Sequence, residues 1–203
     1  ALGIDLPGEK RGMIPNDQYY DKAYNRSWNG LTIISISIGQ GEVTATPLQI
    51  ANLGATIANR GYFITPHVVK EVEGDSLDSL YTQKRYTKVR REHYETVVQG
   101  MRQAVLGGTC RGADLPGIEV CGKTGTAQNR GKDHSAFMGF APMKEPKIAV
   151  AVYVENGGWG ATYGVPIGAL IMEKYLNGSL SAESELKAQD IQKRRIDYGI
   201  HER

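Results

Sequence analysis

The sequence has little net charge and no long hydrophobic run. Its 24 Lys and Arg residues nearly balance 22 Asp and Glu residues, giving a formal net charge of +2. No field of one sign dominates such a molecule, which argues against a dedicated nucleic-acid binder. The longest apolar stretches, 31–38 and 148–154, fall far short of the roughly 18 residues that a membrane-spanning helix needs. With 40% apolar and 23% charged residues, the composition is that of a globular protein.

Cysteine is scarce, and so are signals at the N terminus. The two cysteines, Cys110 and Cys121, form no C-x-x-C pair, and their spacing is not that of a metal site. The chain begins Ala1-Leu2-Gly3, without an initiator Met and without the basic and apolar regions of a signal peptide. At about 150 residues per domain, the length corresponds to one domain. We therefore expect the C-terminal part of a longer protein, with some of the functional machinery upstream.

Glycine is abundant, and the hydrophobic pattern of the chain predicts both helices and extended segments. The chain has 25 glycines, above the average usage of about 7%. Alternating apolar residues over 32–38 favour an extended segment that ends at the glycines of 39–41 (GQG). A helix begins at the capping box of 46–49 (TPLQ), and a second helix is predicted over 90–106. Residues 62–72 are predicted to be extended and to lead into a surface loop.

Three strands are predicted in the second half of the chain, over 118–126, 135–141 and 147–154. The connections between them are too short for crossover helices, so the strands should be antiparallel. A further helix starts near Pro166 and stops at Gly178.

The C-terminal tail is rich in charged residues, and this composition predicts that it forms a separate region. We expect residues 1–178 to form the folded part and residues 179–203 to form a polar tail, with a solvated helix over 182–196.

Residues 117–124 (GIEVCGKT) match the phosphate-binding pattern G-x-x-x-x-G-K-[ST]. One interpretation is therefore a P-loop nucleotide-binding protein that uses Lys123 and Thr124. A P-loop, however, follows a buried strand and opens a helix at the lysine, whereas Gly112 and Pro116 predict a loop before the motif. The alternating, β-branched positions within the motif favour a strand instead.

The same lysine begins Lys123-Thr124-Gly125, a tripeptide that occurs on a strand beside the active site of penicillin-recognising serine acyltransferases. An edge strand can pair with an extended substrate backbone. A Lys ammonium and Thr hydroxyls can receive a carboxylate, and Gly125 keeps the strand surface clear. The backbone N–H of Thr126 is then a candidate oxyanion donor.

A series of further motifs, in a fixed order over most of residues 3–176, resembles the class B penicillin-binding proteins, and most closely the elongation-type D,D-transpeptidases. The motifs are 3–9 (GIDLPGE), 38–41 (IGQG), 46–51 (TPLQIA), 58–61 (ANRG), 66–67 (PH), 122–128 (GKTGTAQ), 139–142 (GFAP) and 154–158 (VENGG). The resemblance implies an α/β fold of the α+β type, an antiparallel sheet packed with helices as in serine β-lactamases, here incomplete at its N-terminal side.

The resemblance also implies an activity and partners. In this family a serine attacks the penultimate D-Ala of a peptidoglycan stem peptide, releases the terminal D-Ala and passes the acyl group to an amine of a neighbouring strand, without a cofactor or metal. β-Lactams acylate the same serine. The implied partners are stem peptides ending in D-Ala-D-Ala, β-lactams, a SEDS-family glycan polymerase and other elongation-complex proteins, with no nucleic acid. The implied location is the periplasmic face of the bacterial cytoplasmic membrane, with an anchor upstream.

Only some of the family's functional residues have counterparts in this sequence. The substrate-binding strand corresponds to Lys123, Thr124, Gly125 and Thr126. The S-x-x-K motif, by contrast, should lie upstream of Lys123, and its one match, 184–187 (SELK), falls in the polar tail and is attributed to chance. Residues 27–29 (SWN) fit S-x-N but lie where the family has a tryptophan-containing loop. We therefore expect the nucleophilic serine and its lysine base on an upstream portion, and this chain alone to be inactive.

Three other features have alternative interpretations. A domain outside the cytoplasmic membrane can keep disulfides, so a Cys110–Cys121 bridge is possible beside the default of two separate thiols. His134 is predicted to be a structural residue at the flank of a hairpin. Trp159 and Tyr163 are predicted to cover the sheet edge rather than to line the cleft.

Two alternatives to the transpeptidase remain open at this point. The first is the P-loop protein, which nucleotide binding with magnesium would support. The second is a non-catalytic scaffold with the same fold, which a full-length parent lacking S-x-x-K would support.

Overall fold

The computed structural model describes residues 1–196 and residue 198. Two short 3₁₀ turns accompany the helices and strands. In chain order the elements are α1 Asp17–Ala23, α2 Gly30–Ser37, α3 Pro47–Ala58, β1 Tyr62–Phe63, β2 Arg85–Tyr86, α4 Arg91–Leu106, β3 Cys121–Ala127, β4 His134–Ala141, β5 Ile148–Val154, α5 Gly164–Asn177 and α6 Ala182–Lys193.

The three predicted strands form an antiparallel sheet in the order β3-β4-β5. Thr124 of β3 lies opposite Phe137 of β4, which lies opposite Val152 of β5. The predicted meander is therefore confirmed. β3 begins at Cys121, later than predicted, because the residues before it close a turn around Gly117, whose φ is +75°.

Helices cover both faces of this sheet, so the predicted fold class is confirmed. On one face Phe137 and Val150 pack with Val165, Ala169 and Met172 of α5. On the other face, the buried residues of α3 and α4 pack with the sheet: Ile57, Ala58, Tyr94, Val98, Met101, Cys121 and Phe140. Because side chains alternate along a strand, each face receives every second residue of β3.

Local signals predicted the two helices of the second face correctly. The Thr46 hydroxyl accepts the backbone N–H of Gln49 at 3.2 Å, and the Gln49 side chain accepts the backbone N–H of Thr46 at 2.9 Å, which completes the capping box. α4 runs one residue short of the predicted 90–106. α5 ends at Gly178, whose φ of +76° is the left-handed stop that glycine favours.

The predicted extended segment over 32–38 is wrong, because residues 32–37 belong to helix α2 and Ile38 is its C-cap. The Asn29 side chain accepts the backbone N–H of Leu31 at 2.9 Å and caps the helix. None of its residues is buried, and Ile34 is 62% exposed. The alternation of isoleucines therefore does not mark a buried face here, whereas the capping residue favours the start of a helix.

The predicted extended stretch over 62–72 is correct only for Tyr62 and Phe63, which form β1 and pair with β2. Pro66 lies soon after β1 and has no N–H to donate to a ladder. Within 64–72, the described backbone forms only one further pairing, the single bridge between Val72 and Asp75.

α6 corresponds to the solvated helix predicted over 182–196, and a buried carboxylate attaches it to α5. Glu173 of α5 is 5% exposed and accepts the backbone N–H of Ser181 at 2.9 Å and the hydroxyl proton of Ser184. Burial raises the pKa of the Glu173 carboxyl, but the hydrogen bonds from Ser184 and Ser181 outweigh it, and the net pKa is lowered.

We expect the docking of α6 to weaken in acid for this reason. The folded-state pKa of Glu173 lies below its unfolded value, so the carboxylate stabilises the fold above the usual glutamate range, and that stability is lost as the pH falls through the folded-state pKa. Glu173→Gln should cost about 1–3 kcal/mol at pH 7 and flatten the pH dependence. The measurement is the thermal midpoint at pH 7 and pH 4.

The matched control is Glu183→Gln, since the side chain of Glu183 is 78% exposed and pairs with Lys187 on the same helix. This variant should differ little from the wild type at either pH. Equal effects of the two substitutions would contradict the role assigned to Glu173.

Candidate functional site

The four predicted substrate-binding residues lie together on β3, at the edge of the sheet. Lys123 is exposed, and Thr124, Gly125 and Thr126 are half-buried. Lys123 and Gly125 lie on the face of α3 and α4, and Thr124 and Thr126 on the face of α5, because side chains alternate. The edge between them is therefore flanked by a cation on one side and two hydroxyl groups on the other.

The even-numbered residues of β3 turn their backbone groups toward this free edge. The carbonyl of Thr124 accepts the Lys123 Nζ at 2.8 Å, and the carbonyl of Thr126 accepts the Gln40 Nε2 at 2.9 Å. The N–H and C=O of one residue in an antiparallel pair point to the same side. The N–H of Thr126 therefore also points to the edge, as an oxyanion donor would require.

A glycine-rich turn covers the sheet beside this edge. A Cβ built on Gly160 would lie 2.5 Å from the carbonyl oxygen of Ala136 and 2.6 Å from that of Gly125, so only glycine fits there. The backbone N–H of Gly160 donates to the Thr126 hydroxyl at 3.4 Å, which leaves the hydroxyl proton of Thr126 to donate elsewhere. The Gly160 turn thus holds Thr126 from one side.

A buried serine fixes this turn in place. The hydroxyl of Ser135, which is fully buried, donates to the carbonyl of Trp159 at 2.8 Å and accepts the backbone N–H of Gly164 at 3.0 Å. The Trp159 side chain itself is 74% exposed. The prediction that Trp159 covers the sheet edge is wrong for the side chain, because the backbone beside it performs that role. The ring of Tyr163 lies 5.5 Å from the guanidinium carbon of Arg194.

Two further groups reach the edge and were not predicted as site residues. The Thr109 hydroxyl lies 2.8 Å from the Thr124 hydroxyl. The Gln40 side chain contacts Thr126 and also accepts the backbone N–H of Gln128 at 3.4 Å. Gln40 belongs to the IGQG motif, which was the available signal, but the motif does not reveal its contact with a strand 86 positions away.

Cys110 and Cys121 are both free, buried thiols. Cys110 packs in the cluster on the α5 face and Cys121 in the cluster on the α4 face. Burial raises the pKa of Cys121 to about 11 and also raises that of Cys110, although the Thr124 backbone and the Thr109 side chain partly oppose the rise at Cys110. Neither thiol is therefore poised for nucleophilic chemistry.

The alternative motifs have structural roles. Lys123 and Thr124 lie within a strand rather than at a helix start, so the P-loop interpretation is wrong. Ser184 donates its proton to Glu173 inside the α5–α6 contact, which agrees with a chance match to S-x-x-K. Asn29 of the SWN sequence caps α2. His134 accepts the backbone N–H of Asn156 at Nδ1, 2.9 Å away, and so joins the two loops beside the sheet.

The described part of the chain offers no cluster of three or more His, Cys, Asp or Glu side chains that could hold a metal ion. Within the same residues, no helix is long and apolar enough to span a bilayer.

An antiparallel sheet between helices, with Lys-Thr-Gly on its free edge strand, is an arrangement shared with the class of penicillin-recognising serine acyltransferases. Comparison with known proteins identifies the family within this class. The model of the penicillin binding protein transpeptidase domain matches residues 1–175. The chain therefore belongs to the penicillin-binding protein transpeptidase domain family, and the resemblance predicted from its motifs is confirmed.

Individual relatives agree with this assignment. The chain is 35% identical over 179 residues to the peptidoglycan D,D-transpeptidase MrdA of Acinetobacter baumannii, covering 79% of this chain and 27% of that protein. Its structure resembles that of Pseudomonas aeruginosa PBP2 in complex with WCK 5153, with a TM-score of 0.72 and 36% identity over 88% of this chain and 40% of the other. It also resembles Helicobacter pylori PBP2 in its complex with MreC, with a TM-score of 0.74 and 27% identity over 88% and 33% of the two chains. The chain thus spans less than half the length of these relatives.

Proposed function

We propose that this chain forms the part of an elongation-type peptidoglycan D,D-transpeptidase that binds the stem peptide. The observation that carries the proposal is Lys123-Thr124-Gly125-Thr126 on the free edge of β3, with the backbone groups of Thr126 facing outward. A stem peptide ending in D-Ala-D-Ala would add to this edge as an extended strand. The Lys123 ammonium and the hydroxyls of Thr124 and Thr126 would receive its terminal carboxylate.

The reaction itself needs a serine nucleophile, which we place outside these 203 residues. The serine oxygen attacks the carbonyl of the penultimate D-Ala, the peptide C–N bond breaks, and the terminal D-Ala leaves with the proton. The N–H of Thr126 would stabilise the oxyanion of the tetrahedral intermediate. An amine of a second stem peptide then takes the acyl group and restores the serine. A β-lactam would acylate the same serine.

The setting of the full-length protein is also part of the proposal. The similar Helicobacter pylori PBP2 forms a complex with MreC, and another similar structure, with a TM-score of 0.75, belongs to a peptidoglycan synthase complex. We infer that the full-length protein works with elongation-complex proteins, including a glycan polymerase, at the periplasmic face of the cytoplasmic membrane. Residues 1–178 would complete the transpeptidase domain, and residues 179–203 would form its C-terminal tail.

Labelling with a fluorescent penicillin tests this function. The full-length protein should form a covalent adduct that survives denaturation, and the isolated 203-residue chain should form none. Excess unlabelled benzylpenicillin should abolish the adduct, which controls for nonspecific labelling. A full-length protein that never labels would contradict the transpeptidase function and favour a non-catalytic scaffold with the same fold.

A further inference from the structure

The side-chain amide of Gln40 pairs with β3 as one residue of an added strand would. Its Nε2 donates to the Thr126 carbonyl at 2.9 Å, and its Oε1 accepts the backbone N–H of Gln128 at 3.4 Å. In a parallel ladder a single residue bonds in this way to the two residues that flank its partner. Gln40 thus occupies, with a side chain, edge positions that an incoming peptide backbone would use.

The turn that carries Gln40 has glycine on both sides. Gly39 has a φ of +76° and Gly41 a φ of +67°, and glycine adopts positive and negative φ with similar ease. A Cβ on Gly39 would meet no atom within 4 Å, and one on Gly41 would meet only the Ser35 side chain within 3.4 Å. The turn can therefore change conformation without rebuilding the packing around it.

The chain is anchored immediately after this turn. Glu42 accepts a hydrogen bond from the Tyr20 hydroxyl at 2.9 Å and another from the Tyr24 hydroxyl. These two hydrogen bonds lower the pKa of the Glu42 carboxyl, so it is ionised at neutral pH. The anchor limits a movement of Gln40 on its C-terminal side.

We propose that Gln40 is a gate on the substrate edge: its amide occupies the Thr126 carbonyl and must swing away before a peptide can pair there. This inference rests on the proposed function, because the competitor of Gln40 is the backbone of the stem peptide or of a β-lactam that imitates it. The gate is a competition for one acceptor, so it weakens binding without changing the chemistry that follows.

Gln40→Met tests the gate, because methionine has nearly the same length as glutamine and cannot form either hydrogen bond. One hydrogen bond with a partly exposed group corresponds to about a three- to tenfold change in affinity. In the full-length protein the dissociation constant of benzylpenicillin before acylation should fall by this factor. The first-order acylation rate constant should stay unchanged, since the ground state and transition state gain equally. Both constants come from the dependence of the acylation rate on penicillin concentration.

Gln103→Met is the matched control, because Gln103 is an exposed glutamine on α4. It should leave both constants at their wild-type values. If wild-type protein is acylated but Gln40→Met binds penicillin no more tightly, Gln40 is a structural clamp and the gate is overturned. If the wild-type full-length protein is not acylated at all, the proposed function fails and the gate fails with it.

Discussion

Gly168→Ala is expected to lower the free energy of unfolding by about 1–2 kcal/mol net, although alanine normally stabilises a helix interior. A Cβ on Gly168 would lie 2.5 Å from Cε1 of Phe137, which is 2% exposed at the centre of the sheet. Overpacking a core costs about 1–3 kcal/mol, occasionally more, and this exceeds the gain of about 1 kcal/mol in helix propensity. Equilibrium unfolding in urea measures the difference.

Gly100→Ala makes the same substitution where nothing opposes it. Gly100 lies in the interior of α4, is exposed, and a Cβ there would meet no atom within 4 Å. This variant should therefore raise the free energy of unfolding, by up to about 1 kcal/mol. The two variants should have opposite signs, and a stabilising Gly168→Ala would show that α5 does not pack on the Phe137 ring.

The same ring explains part of the glycine content of the sheet. A Cβ on Gly122 would lie 2.6 Å from Cε2 of Phe137, and one on Gly139 would lie 2.5 Å from its Cζ. These two glycines make room for a core side chain and do not face the substrate edge. Gly160, by contrast, allows the close approach of a turn to β3. The sequence shows that glycine is abundant, but only the packing explains why these positions require glycine.

Where the sequence predicted the fold correctly, the signal was local. The capping box at Thr46 and Gln49 defines the start of α3, and the short connections between strands require an antiparallel sheet. The extended segment over 32–38 was wrong because an amphipathic pattern predicts conformation only where one face is buried, and α2 has no buried residue. The capping side chain of Asn29 was a local signal for the helix that the alternation obscured.

In the candidate site, too, local sequence predicted some residues and only the fold revealed others. The strand position of Lys123-Thr124-Gly125 followed from neighbouring residues, since alternation and β-branching are properties of the segment itself. Gln40 reaches Thr126 through the fold, across 86 positions, and no local pattern encodes such a contact. The predicted motif therefore located the strand, and the structure added the group that occupies its edge.

Lys123→Ala is expected to reduce the second-order rate constant for acylation of the full-length protein by benzylpenicillin about 10- to 100-fold. The Lys123 side chain is exposed at the edge of β3 and, among the described residues, its Nζ donates only to the backbone of Thr124. Its removal should therefore change the thermal midpoint little. A charge-assisted hydrogen bond to a carboxylate is worth about 1.5–3 kcal/mol, which corresponds to the stated loss of rate. Lys174→Ala, on the exposed side of α5, should leave the rate unchanged.

Changing the ligand as well as the lysine isolates the carboxylate contact. The methyl ester of benzylpenicillin keeps the β-lactam ring but has no carboxylate for Lys123 to bind. If Lys123 receives the carboxylate, the ester should acylate wild type and Lys123→Ala at nearly the same slow rate, because the ester already lacks the group that Lys123 binds. Losses that multiply instead would mean that Lys123 acts on the serine or on the fold, and that the carboxylate is bound elsewhere. Measuring both proteins with both ligands thus assigns a role to Lys123 even where the single substitution is ambiguous.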